Sequence, residues 1–153
     1  GHAAAEGPGG DAGRELTRRG EQEAWASSAR LAALGLLPQR ILASAATRTR
    51  QTAAIAQASF GLPGAALELE PRLYLADTVT LLEVVAGVEE AVQHLLVVGH
   101  NPGLSELVHL LAPRSAFGSL ATGAWATLET DALSWDALDA AKSSLDRSEA
   151  PGR

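Results

Sequence analysis

The turn Gly99-His100-Asn101-Pro102-Gly103 directly follows the continuous apolar run Leu95–Val98. Such a run reads as a strand covered on both faces, so His100 is expected at its carboxyl end, with a helix beginning after the turn. The glycines permit tight backbone there, and a helix amino terminus favours negative charge. A histidine in this place either caps the turn or serves an anion site. A second strand-to-helix junction carries Arg48 and Arg50 within Ser44-Ala45-Ala46-Thr47-Arg48-Thr49-Arg50-Gln51-Thr52-Ala53. A guanidinium at a strand end can fork onto phosphate, although lone helix arginines are commonly just solvated. His2, taken alone, lies too near the start of the sequence to carry an argument.

Other chemistries find less support. His94, His100, Glu106 and His109 are the available metal-ligand types, but they form no His-Glu-x-x-His and do not share a helix at the required spacing. No metal and no cofactor is expected. There is no Gly-x-Ser-x-Gly elbow, and Ser105 reads as a capping residue at a helix start. There is no Gly-x-x-x-x-Gly-Lys loop for a nucleotide. The absence of cysteine excludes disulfides, thiolate metal sites and cysteine nucleophiles, and fits a reducing compartment.

These residues need a scaffold, and the composition supports one. The 153 residues are 46% hydrophobic, 20% charged and only 4% aromatic, enough for one domain with an aliphatic core. The net charge of −6 argues against a nucleic-acid or anionic-membrane surface. Lys142 is the only lysine, so nearly every cation is an arginine suited to phosphate or carboxylate. No apolar stretch approaches the ~20 residues of a membrane span. The N-terminus lacks the basic segment and apolar run of a secretory signal, so a cytoplasmic location is expected.

Thr17 reads as the cap of a helix over Arg18–Leu34, which Gly35 stops. A strand over Arg40–Ser44 leads to a helix over Arg48–Phe60, and Leu67–Glu70 alternates like a half-exposed edge strand. Helices are expected over Thr80–Ala86, Glu89–Gln93 and Leu104–Leu111, and a closing strand pair around Thr122-Gly123. Beyond Trp135 the chain turns polar, and Ser143–Arg153 is expected to fray. The reading is one domain over residues 1–142 and a polar tail over residues 143–153. Alternating helices and buried strands imply an α/β architecture with a mainly parallel sheet, and ligands bind such sheets at the carboxyl ends of the strands.

The motifs stand in a recognisable order. His2-Ala3-Ala4-Ala5-Glu6 is followed by Arg14-Glu15-Leu16-Thr17-Arg18-Arg19-Gly20, then Ser44 to Ala53, Leu73-Tyr74, Val97-Val98-Gly99-His100-Asn101-Pro102-Gly103-Leu104-Ser105, and Thr122-Gly123-Ala124. From about His2 to Trp135 the chain resembles the histidine phosphatase superfamily, and more narrowly its small SixA-type phosphohistidine phosphatases. The resemblance implies a three-layer α/β/α, phosphoglycerate-mutase-like fold whose first strand lies upstream of this sequence, with Gly1 where the family has arginine. It implies His2 as nucleophile, Arg48 and a protonated His100 as the phosphate pocket, and Asn101 with nearby backbone amides as further phosphate donors. The implied activity is metal-independent removal of phosphate from phosphohistidine on a phosphotransfer protein. A small phosphate ester as substrate, or an inactive relative that binds phosphate or a partner, are the alternatives.

Overall fold

The computed structural model describes residues 10–151. After a one-turn 3-10 helix at Asp11–Gly13 come α1 (Arg18–Ala33), β1 (Arg40–Ala43), α2 (Thr47–Phe60), β2 (Leu67–Leu69), α3 (Thr78–Ala86), β3 (Leu95–Val98), α4 (Gly103–Leu111), β4 (Trp125–Thr130) and β5 (Ser143–Glu149). Helix ends follow local chemistry. The Thr17 side chain accepts from Gly20 N at 3.1 Å, and Asp77 accepts from Thr80 N at 2.9 Å. Gly61 ends α2 at φ 67°, a left-handed conformation that glycine adopts without a Cβ clash.

Three strands pair in parallel in the order β2-β1-β3. The register sets Ile41 opposite Leu96 and Ala43 opposite Val98, so β1 and β3 end level with each other. Alternate side chains go to opposite faces. Ile41 and Ala43 pack with Leu96 and Val98 against Ala53, Ala56 and Phe60 of α2. Leu42 packs with Leu95 and Val97 against Leu73, Leu81, Leu104 and Leu107 on the other face. Helices therefore cover both faces, giving the three-layer α/β arrangement. The alanines of α2 are small enough to bring its axis close to the sheet. Leu73 and Leu81 are each 1% exposed, a burial that contributes about 1.5–3 kcal/mol per side chain.

Three expectations are corrected. Among the described residues β3 pairs only with β1, and its residues are half-buried rather than fully covered. A continuous apolar run reports two covered faces; it does not report two paired edges. The segment Glu89–Gln93 is a turn, not a helix. Its backbone bonds elsewhere: Gln39 Oε1 accepts from Gln93 N and His94 N, and Trp135 Nε1 donates to Val92 O. The strand pair expected around Thr122-Gly123 does not form. That turn leads into β4, whose antiparallel partner is Ser143–Glu149, the segment expected to fray. The polar tail is thus part of the fold up to Glu149. Only Leu145 within it is a large apolar residue, so one-sided burial left little trace in the sequence. Among the described residues, no helix is long and apolar enough to cross a membrane.

Candidate active site

Because β1 and β3 end level, the residues that follow them meet. Ser44, fully buried, donates its amide to Val98 O at 3.0 Å and extends the pairing by one bond. His100, 9% exposed, places Nε2 2.8 Å from Ser44 Oγ. Arg48 lies in the first turn of α2, and its Nη2 reaches His100 Nδ1 at 3.1 Å. The junction before it is stiffened by Thr49, whose hydroxyl bonds to the carbonyl oxygens of Ser44 at 2.8 Å and Ala46 at 2.9 Å.

The hydrogen-bond inventory fixes the imidazole tautomer. Guanidinium is a donor only, so Nδ1 must accept from Arg48, and the ring proton sits on Nε2 and is given to Ser44 Oγ. His100 is consequently neutral in the ligand-free site. Burial, reinforced by the Arg48 charge and partly opposed by Asp11, lowers its pKa from 6.5 to about 4. The protonated His100 implied by the family resemblance is therefore not the form that these hydrogen bonds hold.

Two further residues complete the cluster. Asp11 accepts from Arg48 through its backbone carbonyl at 2.9 Å and its carboxylate at 3.4 Å. The Tyr74 hydroxyl donates to the same carboxylate, and its ring stands edge-on to His100, with centroids 5.3 Å apart at 83°. The Tyr74 hydrogen bond, with Arg48 and Arg14 adding to it, holds the Asp11 carboxyl below the ordinary carboxylate range. The same bond to Asp11 raises the Tyr74 phenol. Sequence reasoning misses Asp11, which lies in a glycine-rich loop, and places Tyr74 and Ser44 only as parts of motifs. Tyr74 is the single tyrosine of the chain, and Ser44 is the polar residue directly after β1; both are visible signals.

Asn101 makes three local hydrogen bonds. Its Nδ2 donates to Leu120 O at 2.8 Å, and its Oδ1 accepts from Ser105 N at 3.2 Å and Ser105 Oγ at 2.8 Å. The side chain clamps the loop at Leu120 to the start of α4 with one of the two N–H groups of Nδ2. His109 Nε2 lies 2.6 Å from Gly118 O; a carbonyl only accepts, so the ring proton is on Nε2. Among the described residues, no group of three or more histidines and carboxylates is arranged to hold a metal. A groove between α3 and the β2 edge, lined by Arg40, Glu68, Arg72, Glu83 and Glu89, shares no residue with this cluster. His2 lies outside the described residues.

The histidine phosphatase superfamily (branch 1) matches residues 2–74. Over the whole chain, SixA of Nakamurella multipartitia, assigned as a phosphohistidine phosphatase, superposes with a TM-score of 0.82 at 29% identity, covering 98% of this chain and 92% of that one. The chain is similar to the histidine phosphatase superfamily over residues 2–74 and shares the SixA fold over 98% of its length. A protein histidine phosphatase SixA complexed with tungstate gives 0.81 at 25% identity, covering 99% and 92%. SixA of Agrobacterium tumefaciens gives 0.75 at 27% identity, covering 98% and 93%. No curated sequence matches the chain. The matched segment contains Arg48, Asp11 and Tyr74 but stops short of His100. The tertiary structure alone brings His100 to them.

Proposed function

We propose that this chain is a metal-independent phosphatase that removes phosphate from phosphohistidine on a protein, with His2 as nucleophile and Arg48 and His100 as the phosphoryl pocket. The observation that carries the reading is the 3.1 Å approach of Arg48 Nη2 to His100 Nδ1 at the ends of neighbouring parallel strands. One fixed cation and one proton-accepting ring, set where α/β sheets bind ligands, suit a tetrahedral oxyanion. Tungstate, an oxyanion of that shape, is bound in a SixA structure with the same fold.

Neutral His2 attacks phosphorus in line. The new N–P bond forms as the bond to the substrate imidazole breaks, and the departing nitrogen takes a proton. Water then attacks the phosphorylated His2, releasing orthophosphate and restoring the ring. Arg48 spreads its charge over the equatorial oxygens. His100, taking a proton at Nδ1 as the anion arrives, adds a second donor on the same side. Asn101, whose Nδ2 gives one N–H to Leu120 O, adds its second N–H as a further donor.

Phosphoenzyme trapping tests the reading. Acid-labile phosphate is expected on His2 during turnover of a phosphohistidine protein, and His2→Ala is expected to abolish turnover while phosphate still binds. Arg48→Ala is expected to lose about 2–4 kcal/mol of transition-state stabilisation. Activity is expected to survive EDTA. Undiminished turnover in His2→Ala, or loss on chelation that zinc restores, would overturn the mechanism. Faster turnover of small aryl phosphates than of phosphohistidine would move the substrate to the ester class.

A further inference from the structure

Resting on the reading of Arg48 and His100 as a phosphoryl pocket, we propose that Asp11 and Tyr74 are positioning residues: a latch that holds Arg48 and His100 in mutual register. Arginine is a long side chain with much rotamer entropy to lose on being held in one conformation. Here its guanidinium is held at two points by one residue, through the Asp11 carbonyl at 2.9 Å and the Asp11 carboxylate at 3.4 Å. The third contact of the guanidinium is His100 Nδ1 at 3.1 Å. Tyr74 closes the circuit. Its hydroxyl donates to the Asp11 carboxylate while its ring edge meets the His100 ring. Each of the four side chains therefore touches two others, so none can rotate without breaking a contact of its neighbour.

Asp11 is itself anchored. Arg14 Nη2 lies 2.8 Å from its second carboxylate oxygen, Arg14 N donates to its carbonyl at 3.2 Å, and the Leu16 amide donates to Gln51 Oε1 of α2 at 2.7 Å. The loop thus carries the latch to the same helix that carries Arg48. A proton-transfer role for the pair is disfavoured by charge. Arginines and a phenol donor keep the carboxyl ionised, and that carboxylate keeps the phenol protonated. What remains for the pair is orientation.

Among the described residues, the charged and titratable groups facing the His100 ring are Arg48, Asp11 and Tyr74, and the effects of Arg48 and Asp11 on it separate by sign. Asp11 raises the proton affinity of His100 directly, and Arg48 lowers it. If Asp11 were only a nearby charge, removing it would lower the proton affinity of the ring. If the Asp11 carboxylate holds Arg48 against the ring, removing it leaves the guanidinium only its backbone carbonyl contact, Arg48 moves off the ring, and the affinity rises. NMR titration of the His100 ring in the full chain reads this directly, without turnover. Asp11→Ala is expected to raise the proton affinity about tenfold or more, with Asp11→Asn intermediate because its amide oxygen still accepts. An unchanged or lowered affinity in both variants would overturn the latch.

Tyr74→Phe keeps the ring and removes only the hydroxyl. It is expected to lower kcat on para-nitrophenyl phosphate about tenfold with KM within about twofold and an unchanged melting midpoint. Unchanged kcat would likewise overturn the proposal. Inorganic phosphate added to the native chain is the control for the pocket itself. Failure to shift the His100 resonances would sink the phosphoryl reading, while the titration would still decide whether Asp11 holds Arg48.

Discussion

At the scale of single residues, a histidine 9% exposed beside an arginine has to be kept neutral. Ser44 and Arg48 between them satisfy both ring nitrogens in that form, one as acceptor and one as donor. This has a consequence for stability. The unfolded chain protonates His100 near 6.5, and the folded chain holds it neutral down to about 4. Between those values the unfolded state binds more protons, so stability present above pH 6.5 is lost as pH falls toward 4. The full effect is roughly 3 kcal/mol by the conversion of 1.36 kcal/mol per pKa unit. Urea unfolding followed from pH 7.5 to pH 4.5 is expected to show this fall in the native chain and a shallower one in His100→Gln. Parallel curves for the two proteins would mean that His100 is solvated and not held neutral. His100 and Arg48 are legible in the sequence because each follows a strand. Asp11 is not, because a carboxylate in a glycine-rich loop has no periodicity to place it.

At the scale of elements, the junctions matter more than the helices and strands they join. β1 and β3 are readable from their apolar runs, and Gly103 from its turn. The role of Gly103 is not readable. It is no conformational device, for its requirement is steric: a Cβ there would collide with the Ala76 carbonyl oxygen, with Leu81 also close by. Helix α4 therefore starts in contact with the backbone two residues beyond Tyr74. Gly103→Ala is expected to force that backbone away, costing about 1–3 kcal/mol as an overpacking change and loosening Tyr74 from His100. Thermal melting together with the His100 NMR line shape checks this. A full-stability Ala variant with an unaltered ring signal would show that the contact yields freely. The Glu89–Gln93 turn makes the complementary point. Its helix-compatible residues gave way to bonds from Gln39 and Trp135, partners distant in sequence.

At the scale of the molecule, β5 connects the last part of the chain to the first. Glu149 lies 3.1 Å from Arg30 Nε of α1, and the β4–β5 ladder runs from Trp125↔Glu149 to Thr130↔Ser143, with an irregularity between Thr127 and Leu128. The ion pair is exposed and worth under about 1 kcal/mol. The ladder stabilises more, because β4 without β5 would have no strand partner among the described residues. Truncation after Lys142 is therefore expected to lower the melting midpoint by roughly 5 °C or more, whereas a frayed tail would leave it unchanged. The layer order, the parallel strands and the two strand-end positions of Arg48 and His100 are written in the residue pattern alone, since hydrophobic burial imprints a period on every element that packs. It took the folded chain to join Asp11 and Tyr74 to them, to turn Asn101 toward Leu120 and to make a strand of a polar tail. Those outcomes rest on single hydrogen bonds between residues far apart in the chain and on a ladder of backbone groups, and neither leaves a pattern in side-chain hydrophobicity.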